Sequence, residues 1–130
     1  MYWYVALGAA VGGVARYALT GLLQQRAGPA FPVATLVINI SGSLLLGFLM
    51  RYALASGAVS PELRALLTTG FCGGYTTFST FSYETILLLE DGEYGRAGFY
   101  ILLSVALALL GTIAGIKAAE RLMAYRGDRG

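Results

Sequence analysis

The chain has no histidine and a single cysteine, Cys72. An intrachain disulfide is therefore impossible, and a metal site built from cysteine and histidine is excluded. Charge is scarce as well: 12% of the 130 residues are charged and 57% are hydrophobic, with a mean hydropathy of +0.68. A soluble domain carries about 25% charged residues, so this chain reads as an integral membrane protein. A formal charge of only +2 gives no reason to expect a nucleic-acid partner. No basic segment precedes the first apolar run, which begins MYWY, so no cleavable signal is expected and the first helix should remain in the mature protein. No nucleophile with a neighbouring base and no metal cluster is visible, which leaves an enzyme the least favoured class.

What the chain does have is long apolar runs. Four of them reach the roughly 20 residues that a helix needs to cross the hydrocarbon of a bilayer. The expected architecture is an all-α membrane protein, a single domain over residues 1–130. Its four transmembrane helices should cover about 2–24, 32–51, 62–89 and 96–119. Tyr2, Trp3 and Tyr4 at one end and Tyr125 at the other suit interfacial anchors. With four spans, Arg51, Arg64, Lys117, Arg121, Arg126 and Arg129 fall on one side and only Arg26 and Arg96 on the other, a bias that favours both termini inside.

The third run is the unusual one. In GFCGGYTTFSTFSYE, Gly70 to Glu84, a glycine pair sits mid-span and Thr76, Thr77, Ser79, Thr80 and Ser82 follow it closely. Gly73 and Gly74 lower helix propensity, so a break is expected near 73–76 with Thr76 or its neighbour capping the resumed helix. A broken helix in a membrane presents carbonyl and amide ends that can hold ions or solutes. After the break, Phe78 and Phe81 share a face, and Thr77, Thr80 and Glu84 form the adjacent stripe. Packing is the plain reading of two phenylalanines. Their place among hydroxyls argues instead for ring edges, which are electropositive, presented to an anion.

Other intramembrane polar groups are few. Arg16 lies past the middle of its run, where it serves either as an anchor or in function, and Glu84 is the lone carboxylate within the runs, solvated or paired with Arg16. Asn39, near the centre of the second run, either ties helices together or faces a hydrated path. Tyr100, Ser104 and Thr112 recur at multiples of four on the last helix, with Ala108 in the missing slot. Gly8, Ala9, Gly12 and Gly13, and the pair Gly111 and Gly115, read as close-packing surfaces. Ser60 and Pro61 mark the start of the third helix, and the tail after Lys117 reads as helical at first and then loose.

GGVARY (Gly12–Tyr17), ATLVINISGS (Ala34–Ser43) and GFCGGYTTFSTF (Gly70–Phe81) together resemble the bacterial fluoride channel family, Fluc or CrcB, over essentially the full length. The resemblance implies a passive fluoride-selective channel in the bacterial inner membrane, lowering fluoride toxicity. Its fold would be an antiparallel, dual-topology dimer with two ion pathways along the interface and a structural sodium ion at the centre. By position, it implies that Phe78 and Phe81 contact fluoride and that Asn39 bonds the ion or a neighbouring ring. Tyr100, Ser104 and Thr112 would form a polar track in which Ala108 departs from the usual hydroxyl, and Gly73 and Thr76 would give backbone carbonyls to sodium.

Two other classes remain beside it. A small proton-coupled multidrug or cation exporter of similar length needs a deep carboxylate, and Glu84 is the sole candidate. A structural membrane subunit would leave Asn39 and the TTFSTF run as packing devices.

Overall fold

The computed structural model describes residues 1–130 and is entirely helical, without strands. Helix α1 spans Tyr2–Ala27 and α2 spans Val33–Ser56. The third segment is assembled from pieces: α3 (Pro61–Ala65), a π-helical stretch (Leu66–Cys72), α4 (Gly73–Tyr75) and, after a gap, α5 (Phe78–Glu90). Helix α6 spans Tyr94–Gly127. Three of these, α1, α2 and α6, are long and apolar enough to cross a membrane as single helices.

Local chemistry sets the ends. The Ser60 hydroxyl accepts from the Leu63 amide at 3.2 Å and Pro61 occupies the first turn, as the sequence signals predict. Helix α2 stops at Gly57, whose φ of 62° a side chain would oppose. Between α1 and α2 the Gln24 side chain does the work of a cap. Its Nε2 donates to the Gly28 and Phe31 carbonyls, and its Oε1 accepts from the Ala34 amide at 3.3 Å.

Small residues then decide which helices meet. Helices α2 and α6 form the most extensive interface, in which Gly47 abuts the Thr112 backbone and Gly115 abuts the Leu44 carbonyl. On the other side, Gly8 and Gly12 of α1 lie against the backbone of Leu66 and Phe71, and Gly74 lies against Ala9. At these points a methyl group would overlap main-chain atoms, so backbone contact is what the glycines provide. Gly13, by contrast, faces open space.

The tail after Lys117 is helical at first, as expected, and helix α6 runs on to Gly127 before it ends. Its last turns are held against α2: Ala119 is buried, Glu120 receives Arg51 at 2.6 Å and Lys117 at 3.4 Å, and Arg126 donates to the Tyr52 hydroxyl at 3.0 Å. Only 20 of the 130 residues are buried. Most of the apolar surface must therefore be covered by lipid or by another subunit.

Candidate functional site

The site is built around the gap between α4 and α5. The sequence reading expects a break near 73–76 with Thr76 or its neighbour as the cap, and the chain leaves the helix at the far edge of that stretch. Gly73 is in ordinary right-handed helix (φ −64°, ψ −38°), and the extended residues are Thr76 (φ −79°, ψ 157°) and Thr77 (φ −150°, ψ 111°). The reason is tertiary: Gly74 is small so that α1 can approach at Ala9, not so that the chain can unwind.

Thr77 restarts the helix, its hydroxyl accepting from the Thr80 amide at 3.2 Å and donating to the Thr80 hydroxyl at 2.9 Å. Asn39 on α2 secures the same residue from the side. Its Nδ2 donates to the Thr77 carbonyl at 3.0 Å, and its Oδ1 accepts from the Thr77 amide at 2.8 Å. Below the gap, the buried Tyr75 hydroxyl meets the Ser41 hydroxyl at 2.9 Å.

These pairings release the backbone on the α4 side. Because the amide of Thr77 goes to Asn39 and that of Thr80 goes to Thr77 Oγ1, the carbonyls of Gly73 and Thr76 lose their usual helical partners. The Gly74 carbonyl accepts from Arg16 Nε at 3.1 Å. Arg16 therefore does not pair with Glu84. That carboxylate instead accepts from the Tyr100 hydroxyl at 3.1 Å, so the two charged groups of the spans serve different partners.

Aromatic rings continue the site. The Phe78 and Phe81 centroids lie 5.5 Å apart, Phe81 and Tyr100 5.1 Å, and Tyr100 and Phe31 5.4 Å. The arrangements are tilted or edge-on, the geometry in which ring edges and faces meet favourably. Phe78 is 79% exposed, an unusual state for a phenylalanine.

A cleft of about 320 Å³ runs along this assembly. Asn39, Thr76, Thr77, Phe78, Phe81 and Ser104 line it, together with Ser43 and Leu46 of α2 and Ala108 of α6. The structure thus gathers Asn39, Thr76, Thr77, Phe78, Phe81 and Ser104 around one cleft, whereas Gly73, Arg16, Glu84, Tyr100 and Thr112 are outside its wall. Tyr100 is fully buried behind Phe81, and the Thr112 hydroxyl donates back to the Ala108 carbonyl at 3.1 Å, with the Ser43 carbonyl at 3.4 Å. The Ser104 hydroxyl is buried and has no hydrogen-bond partner.

Ser43 was not anticipated, although it lies one helical turn after Asn39 and so on the same face. On the opposite flank of the gap a second cavity, about 280 Å³, is lined by Arg16, Thr20, Thr35, Thr77 and Thr80, so Thr77 touches both.

Long apolar helices around an interrupted segment, with hydroxyls, an amide and ring edges converging on the gap, define a multi-pass membrane protein with a polar site inside its spans. The family profile described as "CrcB-like protein, Camphor Resistance (CrcB)" matches residues 3–116, and the chain belongs to this family. It is 55% identical to the "Fluoride-specific ion channel FluC" of Geobacter sulfurreducens over 118 residues, which cover 91% of this chain and 95% of the relative. The protein of the same name from Geotalea uraniireducens is 48% identical over 119 residues, 92% of this chain and 96% of that one. The one from Opitutus terrae is 43% identical over 130 residues, 98% of each.

Proposed function

We propose that this chain is a passive fluoride channel of the bacterial inner membrane that lets accumulated fluoride leave the cell. The reading is supported by the names of relatives that align over nearly the whole chain. The structural observation that carries it is the cleft, where an exposed Phe78 stands beside Phe81, Asn39, Thr77 and the unpartnered hydroxyl of Ser104.

Fluoride is small and strongly hydrated, so a narrow path must replace its water with other donors. Ring edges of Phe78 and Phe81 offer positive partial charge without a full cation that would trap the ion. Asn39 uses one Nδ2 hydrogen on Thr77 and retains a second for the ion. Tyr100, Ser104 and Thr112 extend the path along α6, with Tyr100 acting from behind Phe81. Arg16 and Glu84 shape the field at its edges while holding Gly74 and Tyr100. No energy coupling is required, because the anion flows down its own gradient.

The working unit in this reading is an antiparallel homodimer. Residues 61–90 act as the broken third of four spans, and the single domain 1–130 supplies one half of each interface. The open face at Gly73 suits a partner backbone, since nothing lies within 4 Å of the place a side chain would start. A sodium ion fits the same place, because hard oxygen donors are what released helix carbonyls offer, and those of Gly73 and Thr76 lack amide partners. Bound there, sodium supplies a fixed positive charge that two subunits share.

The test is fluoride efflux from liposomes holding the purified protein, read with a fluoride electrode, beside Phe78→Ile and Phe81→Ile and a chloride control. Fluoride release without chloride release, lost or greatly slowed in the variants, is the expected result. No release from well-folded dimers would remove the proposal.

A further inference from the structure

Phe31 lies in the turn between α1 and α2 and lines no part of the cleft. Its main chain is nevertheless firmly held. The carbonyl accepts from Gln24 Nε2 at 3.1 Å and from the Val33 amide at 2.9 Å, and Pro32 restricts the backbone of the residue before it. From this base the ring meets Tyr100 edge-on, with the planes at 79° and the centroids 5.4 Å apart. Tyr100 passes the contact on to Phe81, at 5.1 Å and 57°.

Phe81 has little other support. Within α5 only Thr85 is buried, and the ring on the far side of Phe81, that of Phe78, is itself exposed. Tyr100 is fully buried, and its hydroxyl donates to Glu84 at 3.1 Å. That bond lies on the long axis of the Tyr100 ring, so it anchors the end of the side chain without fixing rotation about the axis, a torsion with broad preferences. Contact with Phe31 supplies the missing constraint.

We propose that Phe31 is a positioning residue: acting through Tyr100, it sets the tilt at which Phe81 presents its edge to the cleft. This rests on the channel reading and adds to it a residue outside the cleft on which the rate of passage depends. A ring edge is electropositive and a ring face electronegative, so a turn of Phe81 exchanges a surface that attracts an anion for one that repels it. Leucine at 31 fills much of the same space but has neither edge nor face.

The experiment compares initial fluoride efflux for the wild type, Phe31→Leu and Phe31→Tyr at equal amounts of reconstituted protein, with gel-filtration elution recorded for each. In a parallel set, para-fluorophenylalanine incorporated at position 81 reports the surroundings of that ring by fluorine NMR. Phe31→Leu should slow efflux by roughly two- to tenfold, the worth of one aromatic pair, and should shift or broaden the signal from position 81. Phe31→Tyr, which keeps the ring, should stay near wild type in both. Phe31→Met takes the place of the leucine variant if that protein does not elute as wild type does. Wild-type efflux without the ring at 31 would overturn the proposal. So would a tyrosine variant as slow as leucine, or slowing with an unchanged fluorine signal, which would place the effect elsewhere than at Phe81. A wild type that releases no fluoride is a separate failure, of the channel reading itself, and the fluorine signal still decides whether Phe31 governs the ring at 81.

Discussion

Asn39 and Thr77 exchange two hydrogen bonds although 38 positions separate them in sequence. The side-chain amide of one binds the main-chain amide and carbonyl of the other, as a neighbouring strand would. This satisfies both polar groups of a residue that has left the helix inside an apolar protein, where an unpaired group is expensive. Replacing Asn39 with Leu should lower stability by roughly 1–3 kcal/mol, since two part-buried backbone groups lose their bonds. Asn39→Asp should be intermediate, keeping an acceptor for the Thr77 amide. Thermal unfolding in detergent measures both, and a leucine variant as stable as wild type would show that water or lipid replaces the pair.

The cap on α5 makes a second, smaller prediction. Thr77→Val retains shape but removes the oxygen that accepts from the Thr80 amide. A loss of about 1 kcal/mol is expected, with Thr77→Ser close to wild type. Equal melting of valine and serine variants would mean that the cap bond contributes nothing.

Gly12 and Gly13 are adjacent but opposite in consequence. A methyl group at Gly12 would overlap the Phe71 carbonyl, whereas nothing lies near Gly13. Gly12→Ala should destabilise by roughly 1–3 kcal/mol or prevent assembly, because backbone cannot move aside as a side chain can. Gly13→Ala should be neutral or slightly stabilising, as alanine is the better helix former. Expression and gel-filtration profiles of the two variants give a direct comparison, and indistinguishable profiles would contradict the packing described for α1.

Arg16 is predicted to act through its guanidinium geometry as well as its charge. Arg16→Met leaves the Gly74 carbonyl without its Nε donor and should destabilise the segment before the gap by roughly 1–3 kcal/mol. Arg16→Lys should recover only part of this, because an ammonium lacks the planar fork. Full rescue by lysine, in melting temperature and in efflux, would assign the effect to charge alone.

The helices themselves were legible in the sequence because their signals are local: apolar length, Ser60 with Pro61, and glycines at packing spacing. The convergence of Asn39, Thr77, Phe78 and Phe81 was also expected, through the resemblance of the motifs. The details of the gap were not. The low helix propensity of Gly73 and Gly74 suits a break near 73–76, but α1 lies against Gly74 and that turn stays helical, so the opening falls on the threonines at the end of the stretch. The π-helical stretch of Leu66–Cys72 carries no sequence signature. Without it the facing of Arg16 toward Gly74 cannot be deduced, nor the diversion of Glu84 to Tyr100. The spacing puts Thr112 two turns after Ser104, yet its hydroxyl turns inward to the backbone at Ala108, a local competition that spacing does not reveal.

The length of α6 has a practical use. Its 34 residues amount to about 50 Å of rod, against roughly 30 Å of hydrocarbon. Anything fused after Gly130 would stand on a stiff mast clear of the headgroups, accessible to impermeant labels or proteases. Such a fusion gives a clean readout of which way each copy is inserted: antiparallel pairing requires signal from both compartments in nearly equal amounts, and a one-sided signal would require a differently oriented partner chain.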